Sequence, residues 1–524
     1  MKDFDLSHLG EYKRVWRREA DRLMPVLQHR TERPKSFCKV VWDSTKCQSV
    51  DVRPVASAAE LSTRKWKTGD SFILDFGEHH VGFLSFDMRI ENNYCDSPVS
   101  LKILAAELPY ELEYDAAKFH GTLSQAWVQE DCFKTDELPA CVKLPRRYAL
   151  RYLLVQVLAC PKTMVFDSIE FDTVSSRNYL VPPPKGLDAL DAAIWTTGCR
   201  TLRDCMQLSL EDGPKRDRRL WLGDLFLEAK TNAVTYRNWS IVEHCVNLLA
   251  ANCKANGMIS ACAYENPNIA SHLYLPDYAM IFPALLMEHT ERAGDALATE
   301  FYDLALHQVR LCRTLFDANA RIIPSNEYWF FIDHEPTLDK NTPEACVLLY
   351  SLDNMARLAE RFGMDDDAAW CRCEYSAIAN TLREKAWDAE RGVLVSGDSR
   401  QVSEASQCWG VLSGLLSSAE GLSAIEYALK SRDAVHAHTP FLKHFVLEAI
   451  WKCGGREKVR GMIRDYWGRM IALGADTFWE AFRAEDNDIS PYSDPFLSSA
   501  CHAWSCTPCV FLAEDFSEGV HNYK

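Results

Sequence analysis

The chain has 524 residues, 47% hydrophobic and 25% charged, with a formal net charge of -16. That length exceeds what one hydrophobic core usually supports, so two or three domains are expected. The acidic balance argues against broad binding to nucleic acid or to an anionic membrane, both of which need a basic face, and leaves a neutral or weakly charged partner.

The first residues, M-K-D-F-D-L-S-H-L-G-E-Y-K-R, put charges where a signal peptide needs an apolar core, and no later run approaches the length of a membrane span. A cytoplasmic location is expected, with no membrane partner. The 20 cysteines are scattered, many inside apolar helical patterns, as at Cys199, Cys205, Cys245 and Cys346. They read as reduced, buried thiols. C-H-A-W-S-C-T-P-C holds Cys501, His502, Cys506 and Cys509. It lacks the second ligand couple of a structural zinc site and the preceding strand of a redox motif, so buried thiols on a helix are the preferred reading.

Residues 1–36 are expected to form a helical lead-in. From about Cys38 to Ser176 short alternating or β-branched runs are separated by turn signals, as in S-F-I-L-D-F-G, V-G-F-L-S-F-D-M-R-I, V-S-L-K-I-L-A-A and Y-L-L-V-Q-V-L. Residues 37–180 are therefore assigned to an antiparallel β-sandwich. The run V-P-P-P-K-G, Val181 to Gly186, then coincides with a change of period and marks a boundary. Beyond it, residues 181–524 carry roughly a dozen helical segments joined by loops, which suits an (α/α)6 toroid of six helical hairpins. No fixed repeat period supports a solenoid instead.

The stretch E-D-G-P-K-R-D-R-R-L-W-L-G-D, Glu211 to Asp224, packs four acids, four bases and a tryptophan into fourteen residues. Carboxylates and guanidinium groups give directional hydrogen bonds to sugar hydroxyls, and an indole covers the apolar face of a pyranose. A charged helix N-terminus would account for the same acids. Glycoside hydrolysis needs a second carboxylate across the scissile bond. L-G-A-D-T-F-W-E-A-F offers one, with Asp476 and Glu480 four apart and on one face if the segment is helical, and with Trp479 beside Glu480. His502 and Trp504 follow. Further polar and aromatic candidates lie in H-L-Y-L-P-D-Y, with Asp277 and Tyr278, and in N-E-Y-W-F-F-I-D-H, with Trp329, Asp333 and His334. Each of these also fits a helix cap or a core aromatic. No P-loop, dinucleotide glycine pattern, H-E-x-x-H or G-x-S-x-G is present, which lowers nucleotide, metalloprotease and esterase readings.

D-G-P-K-R-D-R-R-L-W-L-G-D resembles the acidic signature of glycoside hydrolase family 78, the inverting α-L-rhamnosidases, in its shorter form D-G-x-K-R-[DE]-R-x-x-W-x-G-D. L-D-F-G-E-H-H-V-G, Leu74 to Gly82, and R-R-Y-A-L-R-Y-L, Arg146 to Leu153, are similar to the β-sandwich that precedes the family's toroid. G-A-D-T-F-W-E, Gly474 to Glu480, and S-A-C-H-A-W-S, Ser499 to Ser505, resemble the segments that bring a general base and a histidine to the sugar. The resemblance implies that Asp217 is the general acid and Glu480 the general base. It also implies that Asp212, Arg216 and Asp224 hold sugar hydroxyls, that Trp221 lines the pocket and that His502 contacts the sugar.

Three departures stand out. Arg218 occupies the place of the longer signature's acid, His334 stands where relatives often carry tryptophan, and the chain stops soon after the last toroid helix. The expected activity is removal of a terminal α-L-rhamnosyl or related deoxy-sugar from a small glycoside or oligosaccharide, without metal or organic cofactor. A homodimer is left open. Two alternatives remain at this point: action on another glycoside, such as a uronic-acid one drawn by Lys215, Arg216 and Arg218, or a catalytically silent sugar-binding homologue.

Overall fold

A computed structural model describes residues 4–91, 97–265, 268–270, 273–483 and 489–514. The chain divides into two compact units. One comprises Pro25–Arg218 and Tyr466–Cys506, the other Met1–Met24, Arg219–Asp465 and Thr507–Lys524.

The first unit is built on eight antiparallel strands: β1 (Gln28–Glu32), β2 (Ser36–Trp42), β3 (Val50–Ser57), β4 (Ser71–Ile90), β5 (Val99–Ala106), β6 (Glu130–Thr135), β7 (Ala140–Ala159) and β8 (Met164–Ser175). The long strands β4 and β7 pair along most of their length, with register shifts between Asp75 and His80 and between Phe83 and Ser85. Before the first shift β4 pairs with β2, and beyond it with β8. Strands that change neighbours at bulges make the corners of a sandwich. The alternating inward residues meet in one core that includes Phe37, Leu74, Phe86, Ile103, Val155, Phe166 and Phe171. The antiparallel sheet domain read from the sequence is present.

This unit also holds the helix α2 (Ala189–Cys205). Asp188 caps α2, accepting from the backbone N–H groups of Leu190 and Asp191, so the proline run ends where a helix signal begins. The unit further takes in Glu211–Arg218 and the segment from Tyr466 to Cys506. By contacts these motifs of the helical half of the sequence therefore group with the sheet. Specific ion pairs and backbone bonds, described below, account for that.

The second unit is helical. Its elements are α1 (Leu9–Leu23), α3 (Leu222–Val234), α4 (Trp239–Ala251), α5 (Pro276–Ala293), α6 (Ala296–Arg313), α7 (Asn341–Arg361), α8 (Asp365–Lys385), α9 (Glu404–Leu412), α10 (Ser418–Lys430), α11 (Pro440–Lys452) and α13 (Pro508–Glu514). α12 (Arg456–Ala472) runs across the boundary between the units. α3, α5, α7, α9 and α11 pack on one another in turn, and α13 packs on α3. These odd-numbered helices are buried nearly all round, whereas α8 buries only Ala368, Cys371, Ile378 and Leu382. Inner helices apolar on every side and outer helices with one apolar stripe are the pattern of paired helical layers. The lead-in helix α1 packs on α4. Its buried Trp16 donates to Glu300 at 3.0 Å, and its Ala20 carbonyl meets His244 Nδ1 at 2.7 Å. Among the described residues no helix is long and apolar enough to cross a membrane.

Cys199, Cys205, Cys245 and Cys346 are buried, and so are Cys501, Cys506 and Cys509. The last three lie around a short 3-10 turn, Ala503–Cys506, and the start of α13.

One buried group makes the stability of the helical unit depend on pH. Glu344, in the first turn of α7, is wholly buried, and neither carboxylate oxygen has a hydrogen-bond partner among the described residues. Burial, reinforced by Asp277, holds it well above the usual carboxylate range, while burial pushes Asp277 up to about 6. A carboxyl whose folded pKa is raised stabilises most below its unfolded pKa, and that stability is lost as pH rises through the folded pKa. Glu344→Gln is therefore expected to raise the thermal midpoint at pH 8 by about 2–4 °C and to flatten its decline above pH 6. Thermal scans from pH 5 to 8 read both; a lower midpoint at pH 8 would overturn the assignment.

Candidate active site

The signature forms a tight loop between α2 and α3. Gly213 is required there, because a Cβ would lie 2.6 Å from the Arg216 carbonyl and 3.0 Å from that of Cys501. The loop is pinned at its start by Arg147 of β7, whose Nη2 donates to Glu211 at 2.6 and 2.9 Å. Asp212 Oδ2 then accepts from the Asp217 N–H at 3.0 Å, closing a turn that brings the first and second aspartates together. His502 Nε2 is 3.9 Å from Asp212, its ring lies 4.2 Å from that of Trp504, and Ala503 N–H donates to the Asp212 carbonyl.

Arg216 is the centre of the arrangement. Its Nη1 is 3.2 Å from Asp217 Oδ1, its Nη2 donates to Glu480 Oε2, and its Nε donates to the Leu497 carbonyl at 2.8 Å. Its guanidinium also lies 4.2 Å over the Tyr492 ring. Although burial opposes the charge, Glu480, Tyr492 and Asp217 hold Arg216 well above its ordinary value, so it is a fixed cation. Glu480 is buried, with Oε2 also accepting from Ser499 N–H at 3.1 Å and Oε1 from the Tyr492 hydroxyl at 2.8 Å. Burial, and then Glu480, push the Tyr492 phenol far up, so it stays neutral and can donate. Asp217 is more open than Glu480, with 18% against 2% of the side chain exposed.

The expectation that Asp476 and Glu480 share a helical face is corrected. α12 ends at Ala472 and Gly474 adopts φ +106°, after which Glu480 N–H bonds to the Ser499 carbonyl and His502 N–H to that of Phe478. Two non-helical segments held side by side replace the helix. Asp476 instead pairs with Arg200 at 2.7 Å and accepts from the His79 N–H. Trp479 is 1% exposed and packs edge-on against Phe482, while Trp504 Nε1 donates to the Glu480 carbonyl at 2.9 Å. Both tryptophans support the backbone that carries Glu480.

The remaining candidates belong to the helical unit. Gly223 lets the ring of Tyr278 approach, since a Cβ there would stand 2.3 Å from it. Trp221 meets Tyr278 edge-on at 6.4 Å, Tyr278 meets Phe331 at 6.0 Å, and Phe331 meets Trp329 and His334 at 5.7 and 4.9 Å. Trp329 is half exposed. This is an aromatic wall in which Phe331 and Phe441 are the members that sequence patterning missed. Asp224 lies buried in the first turn of α3. Asp277 accepts from the backbone N–H groups of Phe331 and Ile332, both at 3.2 Å. Asp333 accepts from His334, His438 and Thr439, including the Thr439 hydroxyl at 2.6 Å. These two aspartates shape the 330–334 loop, where Ile332 has φ +55°.

The basic residues of the signature are occupied within the protein. Lys215, 1% exposed, donates to Glu111 at 2.8 Å and to the Ser498 carbonyl at 3.0 Å. Arg218 has φ +63° and donates from Nε to the Lys215 carbonyl at 3.3 Å; burial, then Arg147, lower it to about 10. The Arg219 guanidinium lies 4.5 Å over the Tyr264 ring. One group of metal-binding residue types occurs among the described residues: His79, Asp204 and Cys501 have ligand atoms within 4.8 Å of one another. His79 Nδ1 is already 2.8 Å from Asp204 Oδ2, a separation at which the two share a proton.

Residues 34–175 match the glycosyl hydrolase family 78 alpha-rhamnosidase N-terminal domain, and residues 188–515 the bacterial alpha-L-rhamnosidase 6 hairpin glycosidase domain. A rhamnosidase from Klebsiella oxytoca, solved with rhamnose bound, is similar at 36% identity and TM-score 0.92, over 96% of this chain and 98% of that one. A family 78 rhamnosidase from Bacillus sp. GL1 is similar in fold at 19% identity and TM-score 0.73, over 89% of this chain and 49% of that one. An α-L-rhamnosidase from Streptomyces avermitilis, complexed with L-rhamnose, shares the fold at 15% identity and TM-score 0.66, over 93% of this chain and 44% of that one. No curated protein sequence matches the chain. With both domains matched in order and a relative aligned end to end, the chain belongs to glycoside hydrolase family 78 and is a glycosidase.

Proposed function

We propose that this enzyme removes a terminal α-L-rhamnosyl residue from a small glycoside by single displacement with inversion. The observation that carries the reading is that one guanidinium, Arg216, holds Asp217 at one end and Glu480 at the other. The two carboxylates bond to different nitrogens of that guanidinium and are therefore separate groups beside one fixed cation; inversion requires them to stand about 6.5–9.5 Å apart, with room for a water. Asp217, the more open of the two, protonates the leaving oxygen. Glu480 takes a proton from water through Oε1, the oxygen not paired with Arg216, and the water attacks the anomeric carbon from the opposite face. Asp212, with His502 beside it, binds hydroxyls. Within the helical unit, Asp224 and the wall of Trp221, Tyr278 and Trp329 are groups of the kind that bind a sugar's hydroxyls and its apolar face.

A panel of aryl glycosides, with the first-formed anomer followed by NMR, tests the reading. Turnover of the α-L-rhamnoside with initial release of β-L-rhamnose is expected. Release of the α anomer would overturn the inversion, and preference for another sugar would overturn the substrate.

Tyr492→Phe is expected to lower kcat/KM by about tenfold and to move the acid limb of its pH profile to higher pH. A hydroxyl donated to a carboxylate favours the charged, proton-accepting form, and its loss makes Glu480 protonate more readily. An unchanged acid limb would show that Tyr492 does not tune the base.

A further inference from the structure

The sheet-bearing unit contains a row of ionisable side chains that the proposed chemistry does not use. Asp204 Oδ2 is 2.8 Å from His79 Nδ1, and His79 Nε2 is 3.1 Å from Glu107 Oε1. Lys215 Nζ lies 3.8 Å from Glu107 Oε2 and 2.8 Å from Glu111 Oε2. All five are buried. Around them stand Arg203, on Asp204 at 2.7 Å, Asp476, which accepts from the His79 N–H, and Cys501 and Tyr110. Burying five ionisable groups is costly unless each is paired, and replacing such a set by apolar residues is often neutral or stabilising. Stability alone is therefore a poor reason for the row.

What the row touches is the chain from Leu497 to Ala500. Glu107 Oε2 accepts from the Ala500 N–H at 2.7 Å, and Lys215 donates to the Ser498 carbonyl at 3.0 Å. The intervening residues face the other way. The Leu497 carbonyl accepts from Arg216, while Ser499 donates its N–H to Glu480, accepts from the Glu480 N–H and gives its hydroxyl to the Arg216 carbonyl at 2.7 Å. Leu497 ends a 3-10 turn, Pro495–Leu497, and Ser498 beyond it is extended. Residues 498 and 500 are thus gripped by the row, and 497 and 499 grip the base and its guanidinium.

We propose that Glu107 and Lys215, backed by His79, are positioning residues for the general base: they fix the 497–500 segment that orients Glu480 and Arg216. This rests on the reading of Glu480 as base. It makes β5 and the loop after it part of the catalytic apparatus, and it gives the signature lysine a partner in the protein in place of the substrate. The charge states agree with the geometry. Burial pulls His79 down, but Cys501, Asp204 and Glu107 together keep it well above an ordinary imidazole, and burial pushes Glu111 up to about 7 against the pull of Lys215.

The test compares Glu107→Gln, Lys215→Met and the charge-balanced pair Lys215→Met with Glu111→Leu against Val157→Ala, a change in the sheet core. A misplacement of about 1 Å costs on the order of 10²-fold in rate. The first three are expected to lower kcat about 10–100-fold with KM within threefold, and to move the acid limb of the pH profile upward, because the Ser499 hydrogen bond to Glu480 weakens. Val157→Ala should lower the thermal midpoint and leave both readouts unchanged. The double variant keeps the test valid if the single lysine variant fails to fold, since it strands no buried charge. Wild-type kcat and pH profile in Glu107→Gln and in the double variant, whatever their midpoints, would overturn the proposal. Full activity of Glu480→Gln would instead overturn the assignment of the base on which it rests.

Discussion

Glu480→Gln and Asp217→Asn are each expected to lower kcat on the best aryl α-L-rhamnoside by about 10²–10⁴-fold, with KM little changed. The two losses differ in kind. A general acid matters in proportion to the basicity of the leaving oxygen, so the defect of Asp217→Asn should shrink as the aryl group is made a better leaving group. A general base acts on water and is indifferent to the aglycone, so the defect of Glu480→Gln should stay constant across the same series. Both amides are isosteric with the carboxyls they replace. In Glu480→Gln the amide oxygen can still accept a hydrogen bond from this corner of the site, where Ser499 N–H and the Tyr492 hydroxyl both donate, so the loop should keep its course. Steady-state kinetics on four or five phenols of graded acidity reads the contrast. Equal leaving-group dependence in the two variants would overturn the division of roles.

The sequence carried the parts of this site whose geometry is local. Asp212, Arg216 and Asp217 sit in one tight turn that Gly213 makes sterically feasible, so their grouping is written in a dozen residues. Glu480 and His502 were candidates by residue type, but only the resemblance joined them to the signature, because nothing local ties G-A-D-T-F-W-E to S-A-C-H-A-W-S. Their link is a pair of backbone hydrogen bonds between non-helical segments, and an i, i+4 spacing suggested a helix where the chain beyond Gly474 is non-helical. Tyr492 gave no signal at all. It lies twelve residues beyond Glu480 among serines and prolines, and only the fold sets its hydroxyl on the carboxylate. Glu107, Glu111 and His79 gave no signal for a related reason: only the fold sets them against charged groups and loops from distant sequence. Asp277 and Asp333 were found as polar residues near aromatics, and their partners show loop-shaping work that residue type cannot distinguish from ligand binding.

Arg216→Met is expected to cost about 3–5 kcal/mol of stability and to abolish measurable turnover, the largest combined effect of any single change in the site. The guanidinium is buried, and removing it leaves Glu480 in the interior without its countercharge and the Leu497 carbonyl without its donor. Lysine does not restore it: an ammonium is a point charge and cannot reach Asp217, Glu480 and Leu497 from one position, as the planar fork does. Arg216→Lys should therefore fold, yet lose at least about 10²-fold in kcat, with the acid limb of its profile moved upward as Glu480 loses a fixed neighbouring charge. A double-mutant cycle separates pairing from packing. If the cost of Arg216→Met comes from stranding Glu480, then adding Glu480→Gln, which removes the stranded charge, should recover about 0.5–3 kcal/mol relative to the sum of the single changes. Denaturant unfolding of the four proteins measures that coupling, and strict additivity would mean that the guanidinium is held for its fit over Tyr492 and its bond to Leu497 rather than for the base it faces.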